Sequence, residues 1–293
     1  MRAGGITLLG RELSRAARGN HIDRVRLLLA HGARMDEPFE GQKPWQQAMA
    51  KGNLEVARLL EEAGAPIVEL TPVERFVSLC LAGDEQGSRA MLDRDGDLFA
   101  HAPEAMVLKA SSTGRTEAVR LALDLGFDPN AIDDIGALHG AAGRGFDEIV
   151  RLLLDRGALL KLREPWYDAT AIGWVDFFDH VRMRDTLLNE PGVCLFDALD
   201  FGRLDRVPDI LARDPAALER PFAKCLSRAP KPEDWQTPLV RMVERGKTEA
   251  VRMLLQHGAD PSARHTSGQT PVELAREKGF AEIVRLLEEN GAT

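Results

Sequence analysis

One stretch near the start of the chain decides the fold: Lys51-Gly52-Asn53-Leu54-Glu55-Val56-Ala57-Arg58-Leu59-Leu60. Its glycine permits a tight turn, and Val56, Leu59 and Leu60 would form one apolar face of the helix that follows. The same pattern of a basic residue, a glycine and an apolar run returns at residues 144–154, 245–255 and 278–287. A unit repeated at this length predicts a stack of similar parts rather than one closed core.

The spacing of the repeated glycines is nearly constant. The intervals are 33, 31, 31 and 31 residues along Gly19, Gly52, Gly83, Gly114 and Gly145. Upstream of a later glycine of the same kind, Gly279, Thr270 and Pro271 are typical of a helix start, with threonine at the cap and proline in the first turn. Downstream, pairs such as Gly157-Ala158 are typical of a helix that ends in a left-handed cap. The sequence therefore predicts successive units of two helices.

These elements, recurring in phase, resemble the ankyrin-repeat family. Its consensus reads Thr-Pro-Leu-His-x-Ala-Ala, then Gly-His, then Val-x-x-Leu-Leu-x-x-Gly-Ala-Asp, and the copies that end near residues 65, 158, 264 and 293 match it best. The resemblance implies an all-α fold, an ankyrin-repeat α-solenoid of about nine helix-turn-helix units, some of them degenerate. We expect residues 1–293 to form this single solenoid.

The rhythm breaks in a central segment, about residues 160–235. Asp179 stands where the pattern places a glycine, and a proline-containing loop precedes Thr237. The interval from Gly202 to Gly246 is 44 residues, about eleven more than a standard 33-residue unit. Insertions in solenoids fall in loops, often on the binding face.

Composition narrows the class of function. The net charge of −8 argues against a nucleic-acid partner, because neutralising phosphates requires a basic surface. No apolar run approaches the roughly 20 residues of a membrane-spanning helix. Cys80, Cys194 and Cys225 lack the spacing of a zinc site or a disulfide framework. We therefore expect a cytoplasmic monomer without membrane contact.

Catalytic patterns are absent from the sequence. The chain has seven histidines and 46 acidic residues, but no His-Glu-x-x-His, Gly-x-Ser-x-Gly or Walker sequence. His139 falls on the consensus histidine of the first helix, and the resemblance implies that it bonds to a neighbouring loop. We expect no catalytic residue, no cofactor and no metal, and hence a protein that is not an enzyme.

A local concentration of aromatic residues marks a candidate binding surface. Five of the chain's 16 aromatic residues lie within thirteen positions: Trp166, Tyr167, Trp174, Phe177 and Phe178. Either they replace smaller core residues, or Trp166, Tyr167 and Trp174 contact a partner. Asp168, Asp176 and Asp179 accompany them, so a cationic group of a partner would suit the cluster by cation–π and ion-pair contacts.

In the family that this chain resembles, the turn before each first helix forms an exposed finger. That placement makes Trp166 and Tyr167 finger residues, and the other finger candidates are Asp133, Asp134, Phe39 and Trp235. Trp45 replaces a consensus leucine, so we expect it to be buried.

Two functions follow as hypotheses. The first is a non-enzymatic recognition module, an adaptor or inhibitor-like scaffold, which binds a protein partner on the concave face that fingers and first helices form in the family. The second is a small-ligand sensor or an enzyme with a pocket in segment 160–235. A closed pocket lined by Trp166, Trp174, Asp176 and His180 would favour the second, and an open surface would favour the first.

Overall fold

Helices joined by turns and loops make up the part of the chain that the structure describes. The computed structural model describes residues 7–226, 228–265 and 267–292. Within these ranges it has nineteen α-helices, four short 3-10 helices and no β-strand, only two isolated bridges. The expectation of an all-α fold is confirmed. The chain forms two compact units: the first runs to Ala131 and includes Arg151–Arg156, and the second comprises Ile132–Val150 and the chain from Gly157 onward.

The first unit consists of four helix pairs and one additional short helix, α7. Helix α1 packs against α2 and α3, and α5 packs against α6, α8 and α9. The α1–α2 pair thus packs against the α3–α4 pair, and the α5–α6 pair against the α8–α9 pair. The helices are α1 (Leu8–Arg18), α2 (Ile22–Ala30), α3 (Pro44–Met49), α4 (Leu54–Glu62), α5 (Pro72–Ala82), α6 (Glu85–Leu92), α7 (Asp97–His101), α8 (Met106–Ser111) and α9 (Thr116–Asp124).

The second unit continues the same construction. Among its first helices, α10 packs against α12, α14 against α16, and α16 against α18. Helix α11 is divided between the two units. The helices are α10 (Ala137–Gly143), α11 (Asp147–Asp155), α12 (Ala171–Phe177), α13 (Val181–Leu187), α14 (Leu195–Asp200), α15 (Val207–Arg213), α16 (Pro238–Glu244), α17 (Thr248–Gln256), α18 (Pro271–Glu277) and α19 (Ala281–Glu289).

In chain order the described helices make nine successive pairs, with α7 left over. This count agrees with the repeat number expected from the sequence. That residues 1–293 form one continuous solenoid stays a prediction.

Threonine caps start several first helices, as the sequence indicated. Thr270 Oγ1 accepts a hydrogen bond from the Glu273 N–H at 3.2 Å, and the Glu273 carboxylate accepts one from the Thr270 N–H at 2.7 Å. This reciprocal pair satisfies two backbone donors that a helix start leaves free. The helix starts are therefore fixed by local chemistry.

The turn inside each pair needs a left-handed residue. Gly52 has φ +64°, and a Cβ there would lie 2.5 Å from the carbonyl carbon of Leu81. Asp179 has φ +59°, so it adopts the conformation of the glycine that it replaces. In the first repeat Asn20, at φ +58°, takes this position, whereas Gly19 has φ −84°. The glycine series read from the sequence is therefore displaced by one residue at its first member, because asparagine also tolerates this conformation.

Two irregular spacings in the second unit compensate each other. Helices α12 and α14 start 24 residues apart, at 171 and 195, whereas α14 and α16 start 43 residues apart, at 195 and 238. The chain before α14 is too short to form a full finger loop, by which we mean the loop before the first helix of a pair. The surplus chain after α15 instead forms 3-10 helices at Pro215–Leu218, Phe222–Cys225 and Pro232–Trp235, which follow one at Leu204–Arg206.

Candidate recognition surface

The finger loop at residues 164–169, which we call the aromatic finger, is organised by one buried carboxylate. Glu164 is fully buried. Its Oε2 accepts the Trp166 N–H at 2.7 Å, and its Oε1 accepts the N–H groups of Tyr167 at 2.9 Å and Ala169 at 3.2 Å. The Asp168 N–H donates to the Glu164 carbonyl at 3.1 Å, with Asp168 left-handed at φ +55°. The loop therefore has a shape set by its own residues.

The preceding repeat holds the aromatic finger from one side. His139 on α10 is buried, and its Nε2 donates to the carbonyl oxygens of Leu162 at 3.0 Å and Ala169 at 3.1 Å. Both partners accept, so the proton of the neutral ring must be on Nε2. Burial lowers the pKa of His139, although the two carbonyls oppose this effect. The structural role that the resemblance implied for His139 agrees with this geometry.

The inserted chain after α15 holds the aromatic finger from the other side. Arg163 Nη1 donates to the Asp168 carbonyl at 2.6 Å, and its guanidinium carbon lies 4.5 Å from the ring centre of Phe222. Arg228 Nη2 lies 3.7 Å from Asp168 Oδ2 and 3.2 Å from Asp234 Oδ2. The surplus residues thus contact the finger in place of the shortened loop before α14.

A buried polar cluster lies beneath this contact. Thr170 Oγ1 and Cys194 Sγ donate to the two carboxylate oxygens of Asp197, each at 3.1 Å. Burial raises the pKa of Asp197 and of Cys194. Burial likewise raises the pKa of Cys80, in the first unit, to about 11. Reactivity requires a thiolate, so these thiols fit packing better than nucleophilic chemistry.

The aromatic side chains of this region lie largely at the surface. Trp166 is 70% exposed and Tyr167 is 80% exposed. The ring of Tyr167 lies edge-on to Trp174, with 6.4 Å between centroids, and Trp174 lies 5.8 Å from Phe178. Phe177, 82% exposed, meets Phe178 at 5.1 Å. Tyr167, Trp174, Phe178 and Phe177 therefore form a continuous row of rings.

Trp174 is the half-buried member of this row and lies close to α10. A Cβ on Gly143 of α10 would lie 3.0 Å from Trp174 Cε3 and 3.2 Å from Phe178 Cδ2, so the absence of a side chain there lets the rings approach α10. The sequence did not single out Phe177 and Phe178 as surface residues. Their signal was position, since Phe177 ends α12 and Phe178 follows it, both between Asp176 and Asp179.

Asp133 and Asp134 form the tip of the finger loop before α10. An isolated bridge between Ile132 and Gly136 closes this loop, and both aspartates are exposed. Neither forms an ion pair with the residues that the structure describes. The N-caps of α10 and α12, Gly136 and Thr170, are 34 residues apart, so Asp133 corresponds in position to Tyr167 of the neighbouring repeat and Asp134 to Asp168.

The other two candidates differ in their surroundings. Phe39, in the first unit, is half-buried, and the guanidinium carbons of Arg11 and Arg15 lie 5.7 and 5.6 Å from its ring centre. Trp235, in the second unit, is partly exposed at the end of a 3-10 helix, with Lys224 Nζ 5.2 Å from its ring. Asp133, Asp134, Trp166, Tyr167 and Trp235 therefore all belong to loops of the second unit, whereas Phe39 does not. Trp45 is buried, as expected, and its Nε1 donates to Glu61 at 2.7 Å.

Of the four residues proposed for an enclosed pocket, two are exposed and two, Trp174 and His180, are half-buried. Trp166 and Asp176 are exposed, and Asp176 accepts a hydrogen bond from Arg184 at 2.7 Å. His180 Nε2 donates to the Gly143 carbonyl at 3.1 Å. Over the described ranges, no group of three or more His, Cys, Asp or Glu side chains is arranged to hold a metal ion. Nor does any helix in those ranges combine the length and apolarity needed to cross a bilayer.

The successive helix pairs define a helical-repeat protein. Its loops expose side chains next to the packed helices. Comparison with protein families agrees: residues 215–293 match the family model for ankyrin repeats, in three copies. The resemblance to the ankyrin-repeat family is therefore confirmed over residues 215–293. No curated protein matches the chain. Ankyrin repeats generally mediate protein–protein interaction, and the family is typically a non-enzymatic scaffold.

Proposed function

We propose that this chain is a recognition module whose aromatic finger, with the adjoining rings of α12, binds a protein partner. One observation carries the proposal: Trp166 and Tyr167 are mostly exposed on a loop that the buried Glu164 holds in shape. Large exposed aromatic side chains are typical anchors of protein interfaces. A loop fixed before binding loses little conformational entropy when the partner arrives.

The finer features of this function are proposals as well. The chain would act as an adaptor or inhibitor-like scaffold, without catalysis, cofactor or nucleic acid, and would hold its partner along the concave face expected for the family. We propose that it works as a cytoplasmic monomer. Sedimentation velocity measures the oligomeric state directly, and a concentration-independent monomer mass is the expected result.

Quantitative affinity capture tests the proposed surface. The tagged protein is incubated with an extract of its native cells, and recovered proteins are compared with those of the W166A/Y167A variant by mass spectrometry. We expect at least one partner to be lost about tenfold or more, because truncating an interface anchor typically weakens binding by more than 1 kcal/mol. The matched control is L27A/I67A, which truncates two similarly exposed apolar side chains of the first unit. Equal recovery of every partner by the unmodified protein and W166A/Y167A would contradict the proposal.

One observation favours the alternative, a small-ligand sensor in segment 160–235. Arg163 Nε, Asp168 Oδ1 and Gln236 Nε2 are buried without a hydrogen-bond partner among the described residues. Buried polar atoms usually bind a partner, which here would be ordered water or a small polar ligand. A thermal-shift screen of polar metabolites separates the two functions: stabilisation that Asp168→Asn abolishes would favour the sensor.

A further inference from the structure

We propose that the partner presents an arginine, seated between the Asp133–Asp134 loop tip and the rings of Trp166 and Tyr167. This inference rests on the proposed function, because it specifies the chemistry of the partner at that same surface. It adds the two aspartates of the neighbouring finger as the groups that select the partner's charge.

The geometry brings the two loops together. Helices α10 and α12 pack against each other, and each is the first helix that follows one of the loops. Equivalent positions of neighbouring packed helices lie about 10 Å apart. A Cβ on Gly136, at the base of the first loop, would lie 3.6 Å from Leu162 Cδ2, just before the aromatic finger. The two loops therefore belong to adjacent repeats that contact each other at α10, α12 and the loop bases, and from this we infer that the carboxylates and the rings lie near each other at the loop tips.

The charges near these loops leave Asp133 and Asp134 open to a partner. Two other carboxylates near the rings have cationic neighbours: Asp176 pairs with Arg184 at 2.7 Å, and Asp168 lies 3.7 Å from Arg228. Asp179 is exposed and has no ion pair in the described chain. Asp133 and Asp134 are exposed and without an ion pair in the described chain. With a net charge of −8, the protein also attracts a cationic segment over a longer range.

Arginine suits this combination of groups better than lysine does. Its flat guanidinium can stack on the face of an indole or phenol ring and at the same time donate two hydrogen bonds to a carboxylate. The exposed rings of Trp166 and Tyr167 provide the first contact, and Asp133 or Asp134 provides the second. An ammonium group has no flat face, so it would use only part of the surface.

Defined peptides test the proposal. The probe is an acetylated, amidated peptide of glycine and serine with two arginines, and its control replaces both arginines with citrulline, which keeps the shape and removes the charge. Amide spectra of the labelled protein resolve the four indole N–H signals, which single Trp→Phe variants assign. We expect the arginine peptide to shift the Trp166 signal at millimolar concentration, and the citrulline peptide to bind about tenfold more weakly.

Variants of the protein test whether Asp133 and Asp134 select the charge of the peptide. D133N/D134N should weaken the arginine peptide about tenfold and flatten the salt dependence of its binding, because the ion pair is then lost. E62Q/E69Q, which removes two exposed charges of the first unit, should bind like the unmodified protein. Equal binding of the citrulline peptide, or unchanged binding by D133N/D134N, would overturn the inference, as would no shift of the Trp166 signal.

The inference and the proposed function fail in different ways. If W166A/Y167A loses partners from the extract but D133N/D134N retains them all, the aromatic surface stands and the arginine inference falls. If neither variant loses a partner, both fall. Dimerisation of the unmodified protein that W166A/Y167A abolishes would assign the surface to a second copy of the chain, and would also overturn the arginine inference.

Discussion

The fully buried Glu164 carboxylate accepts the backbone N–H of Trp166, a residue whose side chain is 70% exposed, at 2.7 Å. Two residues apart in the chain, one side chain points into the repeat stack while the other extends into solvent. The carboxylate supplies the hydrogen-bond acceptors that the N–H groups of a tight loop would otherwise lack. The backbone N–H groups of the loop thus bond to a buried side chain, while the aromatic rings of the same loop remain exposed.

Glu164→Gln tests that relationship. An amide keeps one acceptor oxygen but directs an NH₂ group toward backbone donors, so at least one N–H of Trp166, Tyr167 or Ala169 loses its acceptor. We expect the free energy of unfolding to fall by about 1–3 kcal/mol. Hydrogen exchange of the Trp166 and Tyr167 amides should accelerate, as measured by mass spectrometry. Glu62→Gln, at an exposed position without an ion pair in the described chain, is the matched control and should change neither quantity.

Trp166 and Trp45 differ in burial, so we expect them to contribute differently to the free energy of unfolding. Trp166 is mostly exposed, whereas Trp45 is buried and donates to Glu61. We expect Trp166→Ala to change the free energy of unfolding by less than about 0.5 kcal/mol. Trp45→Ala should lower it by about 3–5 kcal/mol, because it leaves a cavity. Urea unfolding followed by circular dichroism measures both, and a large loss for Trp166→Ala would show that its ring is part of the core.

Much of the fold was readable because repeats carry their signals locally. The Thr270 cap, the left-handed Gly52 and the apolar run after it each specify a local conformation that does not depend on distant residues. For the same reason Asn20 was missed, since asparagine and glycine both suit the left-handed turn and the sequence favoured Gly19.

The candidate surface was only partly predictable. Its position followed from the repeat register, which placed Trp166 and Tyr167 in a finger loop. The roles of Glu164 and of the inserted chain around Phe222 could not be predicted from the repeat register. They depend on hydrogen bonds within the loop and on contacts between repeats, which the spacing of the repeats does not specify. The exposure of Phe177 was also not predictable, because a phenylalanine at helical spacing from Trp174 is typical of a buried helix face.

Arg115 links successive turns of the first unit. Its Nη1 donates to the carbonyl oxygens of Lys51 at 3.1 Å, Gly52 at 3.3 Å and Leu81 at 2.9 Å, and its Nη2 donates to Asn53. The Leu81 carbonyl lies in the last turn of α5, and those of Lys51 and Gly52 lie in the turn just after α3, so a cation there also complements the helix dipoles. We expect Arg115→Met to lower the free energy of unfolding by about 2 kcal/mol, as measured by urea denaturation.

The matched control for Arg115 is Arg120→Met, at an exposed position of α9 without an ion pair in the described chain. It should change the free energy of unfolding by less than about 0.5 kcal/mol. Equal effects of the two substitutions would show that the contacts of the Arg115 guanidinium contribute nothing beyond those of a surface arginine.

His139 makes the stability of the aromatic finger dependent on pH. Burial lowers the pKa of His139 in the folded protein, and the ordinary pKa of histidine in an unfolded chain is about 6.5. As pH falls through that value the unfolded chain takes up a proton that the folded protein resists, so stability is present above it and is lost below it. We therefore expect the stabilisation due to His139 to shrink between pH of about 7.5 and about 5.5.

His139→Gln isolates this effect, because the Gln NH₂ can still donate to a finger carbonyl but does not titrate. The measured quantity is the free energy of unfolding of the unmodified protein minus that of the variant, from urea titrations at both pH values. Asp168 and Asp197 have raised pKa values, so their effect runs the other way and favours the fold as pH falls, but both proteins share it and it cancels in the difference. A difference that does not change with pH would mean that His139 binds a proton equally well in the folded and unfolded chain, and that its bonds to Leu162 and Ala169 do not resist protonation.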